Sequence, residues 1–352
     1  MVAADWRGAG GNVHYRSIDD LNRTIQTSVG LLPRDIDLVV GIPRSGLLAA
    51  NLISLALNLP LADLDGFLEG RILSAGSTRR RPGFDRAADQ FKRVLIVDDS
   101  ILSGAAMREA REKIARAGQS HRCIFCTVYG PEEDVVDVDF VMERVPRPRV
   151  FQWNFMNHKV LERACLDIDG VLCFDPTRDE NDDGPNYVEF LTNARPLMVP
   201  GRRVAHLVTS RLERYRPETE AWLAARGIEY GKLWMLDVPT AEERRRRGAH
   251  GAFKAQVYAG LDAQLFIESE ERQAIEIARL SGKPVLSIES HTVIQPDAHL
   301  EHAERLRRRA SRLRERMSSE RHGWRRVAKR VLNRVFGREN VRSWVAKQRV
   351  RS

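Results

Sequence analysis

Short apolar runs punctuate the chain at intervals that leave room for about one helix between neighbours. Residues 38–42, 94–97 and 123–129 are rich in Val, Ile, Leu and Phe, too short for helices and suited to strands buried on both faces. Residues 166–168, 204–208, 233–236, 265–267 and 285–287 form a second series. Helical patterns fill the intervals. This alternation predicts an α/β protein with parallel sheets, one sheet from each series. Arg144-Val145-Pro146-Arg147-Pro148-Arg149 lies between the two series, and its prolines continue neither regular structure, so a boundary is expected across 146–157. The expected organisation is a first domain over 1–150, a second over 158–298, and an extension over 299–352.

Composition refines this picture. A chain of 352 residues with 43% hydrophobic content has enough apolar material for two cores. No run of about 18 apolar residues occurs, and the N-terminal residues lack an apolar signal core, so a cytoplasmic protein is expected. The four cysteines are too few for a disulfide framework, and Cys123 and Cys126 lie in an apolar run as core residues.

The charge is unevenly placed. Residues 303–352 hold 18 Lys and Arg against 4 Glu, a local +14, which leaves −5 on the first 302 residues of a chain whose net charge is +9. Trp324, Val327, Val331, Val335 and Phe336 recur at i, i+3 or i+4, with Arg325, Arg326, Lys329, Arg330 and Arg334 on the other face. Such a basic amphipathic helix suits the surface of an anionic membrane; packing on protein ranks second and nucleic acid last.

The densest chemistry of the first series follows Val94-Leu95-Ile96-Val97. Asp98 and Asp99 end the run, and Ser100, Leu102, Ser103 and Gly104 form a small-residue turn before a helical stretch. A turn that opens a helix presents backbone N–H groups to an anion, and Ser100 and Ser103 add hydroxyl donors. Two carboxylates beside an anion site call for a hydroxylated or cationic neighbour, such as ribose or Mg²⁺. The motif resembles the phosphoribosyl-pyrophosphate (PRPP) motif of type I phosphoribosyltransferases. That resemblance implies paired acids on the ribose hydroxyls and a loop on the 5-phosphate. Ser100 and Ser103 stand where the family often has a branched residue and Thr. Upstream, Arg44, Ser45 and Gly46 follow another strand and resemble the family's pyrophosphate loop. Arg79, Arg80 and Arg81 fall where the family has its mobile loop.

The second series carries Cys165-Leu166-Asp167-Ile168-Asp169-Gly170-Val171-Leu172. Apolar residues before Asp167 place its carboxylate at a strand end, and the i, i+2 spacing brings Asp169 to the same substrate. The motif resembles the haloacid dehalogenase (HAD) superfamily's DxDGxx motif, which implies Asp167 as nucleophile toward phosphorus and Asp169 as general acid/base. Thr209, Lys254 and Glu268 follow in the order of the family's phosphoryl-binding hydroxyl, lysine and acidic metal motif. Asp167, Asp169 through its carbonyl, and Glu268 are the implied Mg²⁺ ligands, with Glu270 as the alternative to Glu268. About 40 residues separate Leu172 from Thr209, and about 45 separate Ser210 from Lys254, which leaves little room for a cap, so an open site and a large substrate are implied. The acidic stretch 175–184 reads as a surface loop.

The resemblances imply two Rossmann-like parallel-sheet domains, a type I phosphoribosyltransferase fold and then a capless HAD fold, followed by a basic helical tail. Together they resemble bacterial enzyme pairs that transfer phosphoribose to a glycan and remove its phosphate. PRPP, Mg²⁺ and a lipid-linked glycan acceptor are the implied substrate, cofactor and partner, at the inner face of the membrane. A nucleobase phosphoribosyltransferase fused to a nucleotidase is the first alternative. A regulatory or nucleic-acid-binding protein with degenerate enzyme domains is the second. The base for the transfer step stays open among Asp63, Asp65, Glu69 and Asp99.

Overall fold

The computed structural model describes residues 13–73, 87–119, 122–240, 242–243 and 249–297. The described residues up to Pro296 belong to one compact unit. Arg79, Arg80, Arg81 and the basic tail lie outside the described residues.

The first lobe opens with β1 (His14–Arg16) and α1 (Ile18–Ser28), whose start is fixed by a capping box between Ser17 and Asp20. There follow β2 (Leu38–Gly41), α2 (Ser45–Leu57), β3 (Leu61–Asp63), α3 (Leu64–Leu68), β4 (Val94–Ser100) and α4 (Ala105–Arg116). Then come β5 (Cys123–Gly130), β6 (Phe140–Arg144) and β7 (Arg149–Phe151). Five strands form a parallel sheet in the order β3-β2-β4-β5-β6. Successive side chains point to opposite faces. Val39, Leu95 and Val97 therefore pack with Leu21, Ile25 and Ile53 of α1 and α2, while Leu38, Val40 and Ile96 pack with Phe67, Met107 and Ile114 of α3 and α4. Chain direction across the sheet reverses between β2 and β4, which opens a crevice at their C-terminal ends.

The second lobe comprises β8 (Ala164–Leu166), α5 (Pro185–Asn193), β9 (Val204–Leu212), α6 (Arg216–Ala225), β10 (Tyr230–Leu236), α7 (Ala249–Ala259), β11 (Leu265–Glu268), α8 (Glu271–Ser281), β12 (Val285–Ser287) and β13 (Thr292–Ile294). Its sheet runs β10-β9-β8-β11-β12-β13, parallel except for the β12–β13 pair. Here the order reverses between β8 and β11, so a second crevice opens where those strands end. Phe190, Leu191, Trp222 and Leu223 of α5 and α6 cover one face, and Tyr258 of α7 packs edge-on to Phe266 on the other.

The apolar runs locate both sheets, and the fold is α/β with parallel sheets as the alternation predicts. The short strands β1, β3, β6, β7 and β13 lack that signal. β1 and β7 pair in parallel as a separate two-stranded ribbon, His14 with Arg149 through Arg16 with Phe151. Val13, Tyr15 and Val150 enter the second lobe's core, while Phe151 faces the first. Residues of 146–157 thus pack into the cores of both lobes. Among the described residues no helix is long and apolar enough to cross a membrane.

Candidate functional site

In the first crevice, Asp98 and Asp99 sit at the C-terminal end of β4, both buried. Asp99 N–H donates to Asp98 Oδ1 at 2.9 Å, and Ser45 Oγ donates to Asp99 Oδ1 at 2.8 Å. The loop that carries Arg44, Ser45 and Gly46 lies directly on this pair. A Cβ at Gly46 would fall 2.8 Å from Val97 O and 3.0 Å from Asp98 Oδ1, so only glycine allows that approach. Arg44 is exposed at the crevice side of α2, and neither α2 nor α4 has a side-chain N-cap. Ala105 N–H at the start of α4 reaches Ser103 Oγ at 3.4 Å and Leu47 N–H in α2 reaches Arg44 O at 3.2 Å; other N–H groups of these helix starts face a ligand or water. Gly104 starts α4 at φ +74°, a backbone turn that favours glycine, with Leu102 and Ser103 exposed before it and Ser100 half-buried. Burial, and then the charge of Asp99, push the Asp98 carboxyl up to about 8.

Three donors from beyond the sheet also reach this cradle, and sequence reasoning missed them. Arg147 donates to Leu102 O at 2.8 Å, and buried Arg149 donates to Ile101 O at 2.5 Å and Tyr129 O at 3.2 Å. Trp153 Nε1 donates to Asp99 Oδ2 at 2.7 Å. Of the acids left open as a base, Asp63 is engaged as the cap of α3, accepting from Gly66 N–H at 2.8 Å and from Arg71 at 3.3 Å.

In the second crevice, Asp167 follows β8 and Glu268 ends β11, the two strands that flank the reversal. Lys254 reaches them from α7, its Nζ 2.6 Å from Asp167 Oδ2 and 2.8 Å from Glu268 Oε2, with Gln273 Oε1 at 3.2 Å. All three are shut from solvent, at 5%, 0% and 2% exposure for Asp167, Glu268 and Lys254. Burial works against the lysine's charge, but its two carboxylate partners outweigh it and hold the ammonium protonated well above its ordinary range. Burial pushes the Asp167 carboxyl up to about 8 against the pull of Lys254. Two carboxylates within 2.8 Å decide that contest for the ammonium, which stays charged. Glu270 is exposed and bonds Gln273 instead, so Glu268 is the acid brought to Asp167.

Asp169 has a different partner. Arg211, whose side chain is wholly buried, forks onto it with Nη2 at 2.6 Å and Nε at 3.1 and 3.2 Å from its two oxygens. Burial raises the Asp169 carboxyl, yet the charge and hydrogen bonds of Arg211 prevail and hold it below the usual carboxylate range. The signal for Arg211 was legible: an arginine in an apolar strand-end run, His206 to Leu212, must meet a carboxylate. Thr209 is fully buried on β9, and its Oγ1 accepts from Arg211 N–H at 3.3 Å. The parallel register of Leu166 with Leu207 sets Thr209 beside the end of β8. Gly170, at φ +72°, lets this loop touch β11's end, where a Cβ would lie 2.4 Å from Ser269 Cβ.

Whether the second site suits Mg²⁺ follows from its donors. Two buried carboxyl groups, Asp167 and Glu268, share one ammonium, and hard oxygen donors suit this ion. Among the described residues no group of three or more His, Cys, Asp or Glu side chains is arranged for a metal. The expected set needs only two carboxylates and the Asp169 carbonyl, and the chemistry fits.

Residues 12–160 match the phosphoribosyl transferase domain family. Similar solved structures include a purine phosphoribosyltransferase from Pyrococcus horikoshii, at 19% identity over 41% of this chain and 94% of that one, TM-score 0.29. A xanthine-guanine-hypoxanthine phosphoribosyltransferase from Helicobacter pylori shares 16% identity over 40% and 93%, TM-score 0.31. A hypothetical protein from Neisseria gonorrhoeae with bound ppGpp shares 13% identity over 41% and 91%, TM-score 0.30. No curated protein sequence matches the chain.

Proposed function

From the match of residues 12–160 to the phosphoribosyl transferase domain family, we propose a two-step ribosyl transfer. The first lobe moves 5-phosphoribose from PRPP to a hydroxyl of a glycan, taken to be lipid-linked. The second, read as a capless HAD phosphatase over 158–298, then removes the 5-phosphate and leaves a β-ribofuranosyl residue. One observation carries this reading: a single compact unit holds two acid pairs, each at the reversal point of its own parallel sheet, one bonded by neutral donors and the other by buried cations. Neutral donors suit a carboxylate that must hold hydroxyls. Cations suit carboxylates that must approach a phosphate.

In the first step the acceptor oxygen bonds to ribose C1 as the C1–O bond to pyrophosphate breaks. Asp98 and Asp99 accept the ribose hydroxyls, the turn from Ser100 to Gly104 takes the 5-phosphate, and Arg44 with Ser45 and Gly46 meets the departing pyrophosphate. The acceptor's proton leaves to a base or to water.

In the second step Asp167 attacks phosphorus and the ester oxygen leaves with a proton from Asp169, which Arg211 otherwise holds ionised; water then cleaves the acyl phosphate while Asp169 takes its proton. Lys254 and Thr209 hold the phosphoryl oxygens. Mg²⁺, held by Asp167, the Asp169 carbonyl and Glu268, supplies further neutralisation of phosphoryl charge when bound. The basic tail, 299–352, is proposed to bring this cytoplasmic enzyme to the anionic inner face of the membrane, where the acceptor resides.

The test supplies PRPP, Mg²⁺ and a candidate lipid-linked acceptor to the wild type and to Asp167→Asn. The variant is expected to release pyrophosphate at the wild-type rate, lose phosphatase turnover by about 10⁴-fold or more, and accumulate phosphoribosylated acceptor. Absence of that intermediate overturns the coupled scheme. Pyrophosphate release on adding a free nucleobase redirects the reading to salvage.

A further inference from the structure

The seven residues from Arg147 to Trp153 join the two lobes and serve the cradle at three points. Arg147 and Arg149 hold the carbonyls of Leu102 and Ile101, which shapes the turn after β4. Trp153 works on the acid pair itself. Its indole N–H meets Asp99 Oδ2 at 2.7 Å while Ser45 meets Oδ1 at 2.8 Å, so the carboxylate is gripped on both oxygens by donors from separate elements. A carboxylate so held cannot rotate about its last bond, and its remaining lone pairs keep one direction.

The indole is itself immobilised. It stacks on Phe151 at 4.8 Å and 15°, and Phe151 stacks on Tyr129 at 5.4 Å and 21°. Tyr129 lies on β5, beside β4 in the sheet, with its carbonyl bonded to Ile101 N–H and to Arg149. Two residues after Trp153 the chain enters the second lobe's core through Phe155 and Met156. The donor is therefore anchored from both sides. A neutral donor also orients Asp99 without cancelling the charge that a ribose hydroxyl would use.

We infer that Trp153 is a positioning residue of the transferase site, its indole N–H setting the Asp99 carboxylate to receive a ribose hydroxyl of PRPP. This rests on the transferase reading of the first lobe. A role confined to packing would need the ring alone, and the ring and the N–H can be separated.

Trp153→Phe keeps the stack and deletes the donor. In the full chain with PRPP, Mg²⁺ and acceptor, its KM for PRPP is expected to rise about 10-fold, as befits loss of one hydrogen bond to a charged group. Its kcat should stay within about 2-fold and its unfolding midpoint near that of the wild type. Because Ser45 grips the same carboxylate, Ser45→Ala and Trp153→Phe should combine non-additively in KM. An unchanged KM in an active Trp153→Phe enzyme overturns the inference and leaves the transferase reading standing. Failure of the wild type to bind PRPP or release pyrophosphate removes that reading, and the inference with it.

A readout on the wild-type chain is independent of how the variant folds. Of its six tryptophans, Trp222 donates to Ala194 O inside the second lobe and Trp234 lies by His206 on that lobe's sheet, so among the described residues Trp153 alone touches the cradle. With 5-fluorotryptophan incorporated, PRPP should shift one fluorine resonance. Turnover of PRPP with no shifted resonance overturns the inference.

Discussion

Both lobes present two aspartates at the end of a central parallel strand, yet the two pairs are in opposite electrical company. Asp98 and Asp99 meet a serine hydroxyl, an indole N–H and each other, and burial beside a second acid favours a proton on Asp98. Asp167 and Asp169 each meet a buried cation of their own, Lys254 and Arg211. The lesson is that an acid pair on a strand end has no fixed chemistry. What packs behind it decides whether it can hold hydroxyls or accept an anion nearby.

The contrast is broken most forcefully at Lys254. Lys254→Met leaves Asp167 and Glu268 buried with no ammonium between them, and chemical denaturation of the full chain should show roughly 3–5 kcal/mol lost from the transition of the second lobe. PRPP-dependent pyrophosphate release should survive in conditions where the chain stays folded. Equal loss of both activities would show that the two sites are not electrostatically independent.

Arg211→Lys tests the other cation more gently. The charge stays but the fork does not, so Asp169 is no longer held at two points. On the proposed phosphatase reading, kcat is expected to fall about 10²-fold, with its acidic limb moved to higher pH as the Asp169 carboxyl relaxes toward its ordinary value. Pyrophosphate release is the internal control.

The smallest effect concerns the first pair and pH. The folded protein binds a proton at Asp98 more tightly than an unfolded chain does, since its carboxyl is raised from 3.8 to about 8. Stability from this group is therefore full below the ordinary value and is lost as pH rises through about 8. Asp98→Asn keeps the uncharged shape and should flatten that decline, read as a Tm gain of about 2–4 °C over the wild type on the alkaline side. A wild-type Tm that rises across this interval, with the variant's flat, would reverse the assignment.

The parts of both sites that lie within one strand-and-turn were legible from the chain alone. Asp98 to Gly104 and Asp167 to Gly170 each follow an apolar run, and such a run ends where its side chains stop being buried. Lys254 and Glu268 were singled out by their order behind Asp167, and the structure brings Lys254 onto both carboxyl groups. Trp153, Arg149 and Arg211 were not, because their partners are 54, 48 and 42 positions away. Arg211 could have been suspected from its apolar neighbours. Arg149 and Trp153 sit among prolines, arginines and aromatics that read as a connector, and only their contacts show otherwise.

The β1–β7 ribbon bears on how the polypeptide is made. It zips together residues about 135 positions apart, and Val13, Tyr15 and Val150 then fill the core of the lobe that is synthesised afterwards. On a ribosome the first sheet can assemble early, but β1 must wait for Arg149 to Phe151 to emerge. A gene cut at residue 150 would strand three apolar side chains on the upstream product and leave matching vacancies in the downstream one. Separately expressed halves should aggregate, and co-expressing them with overlapping ends, both retaining 13–16 and 149–151, is the route to soluble pieces.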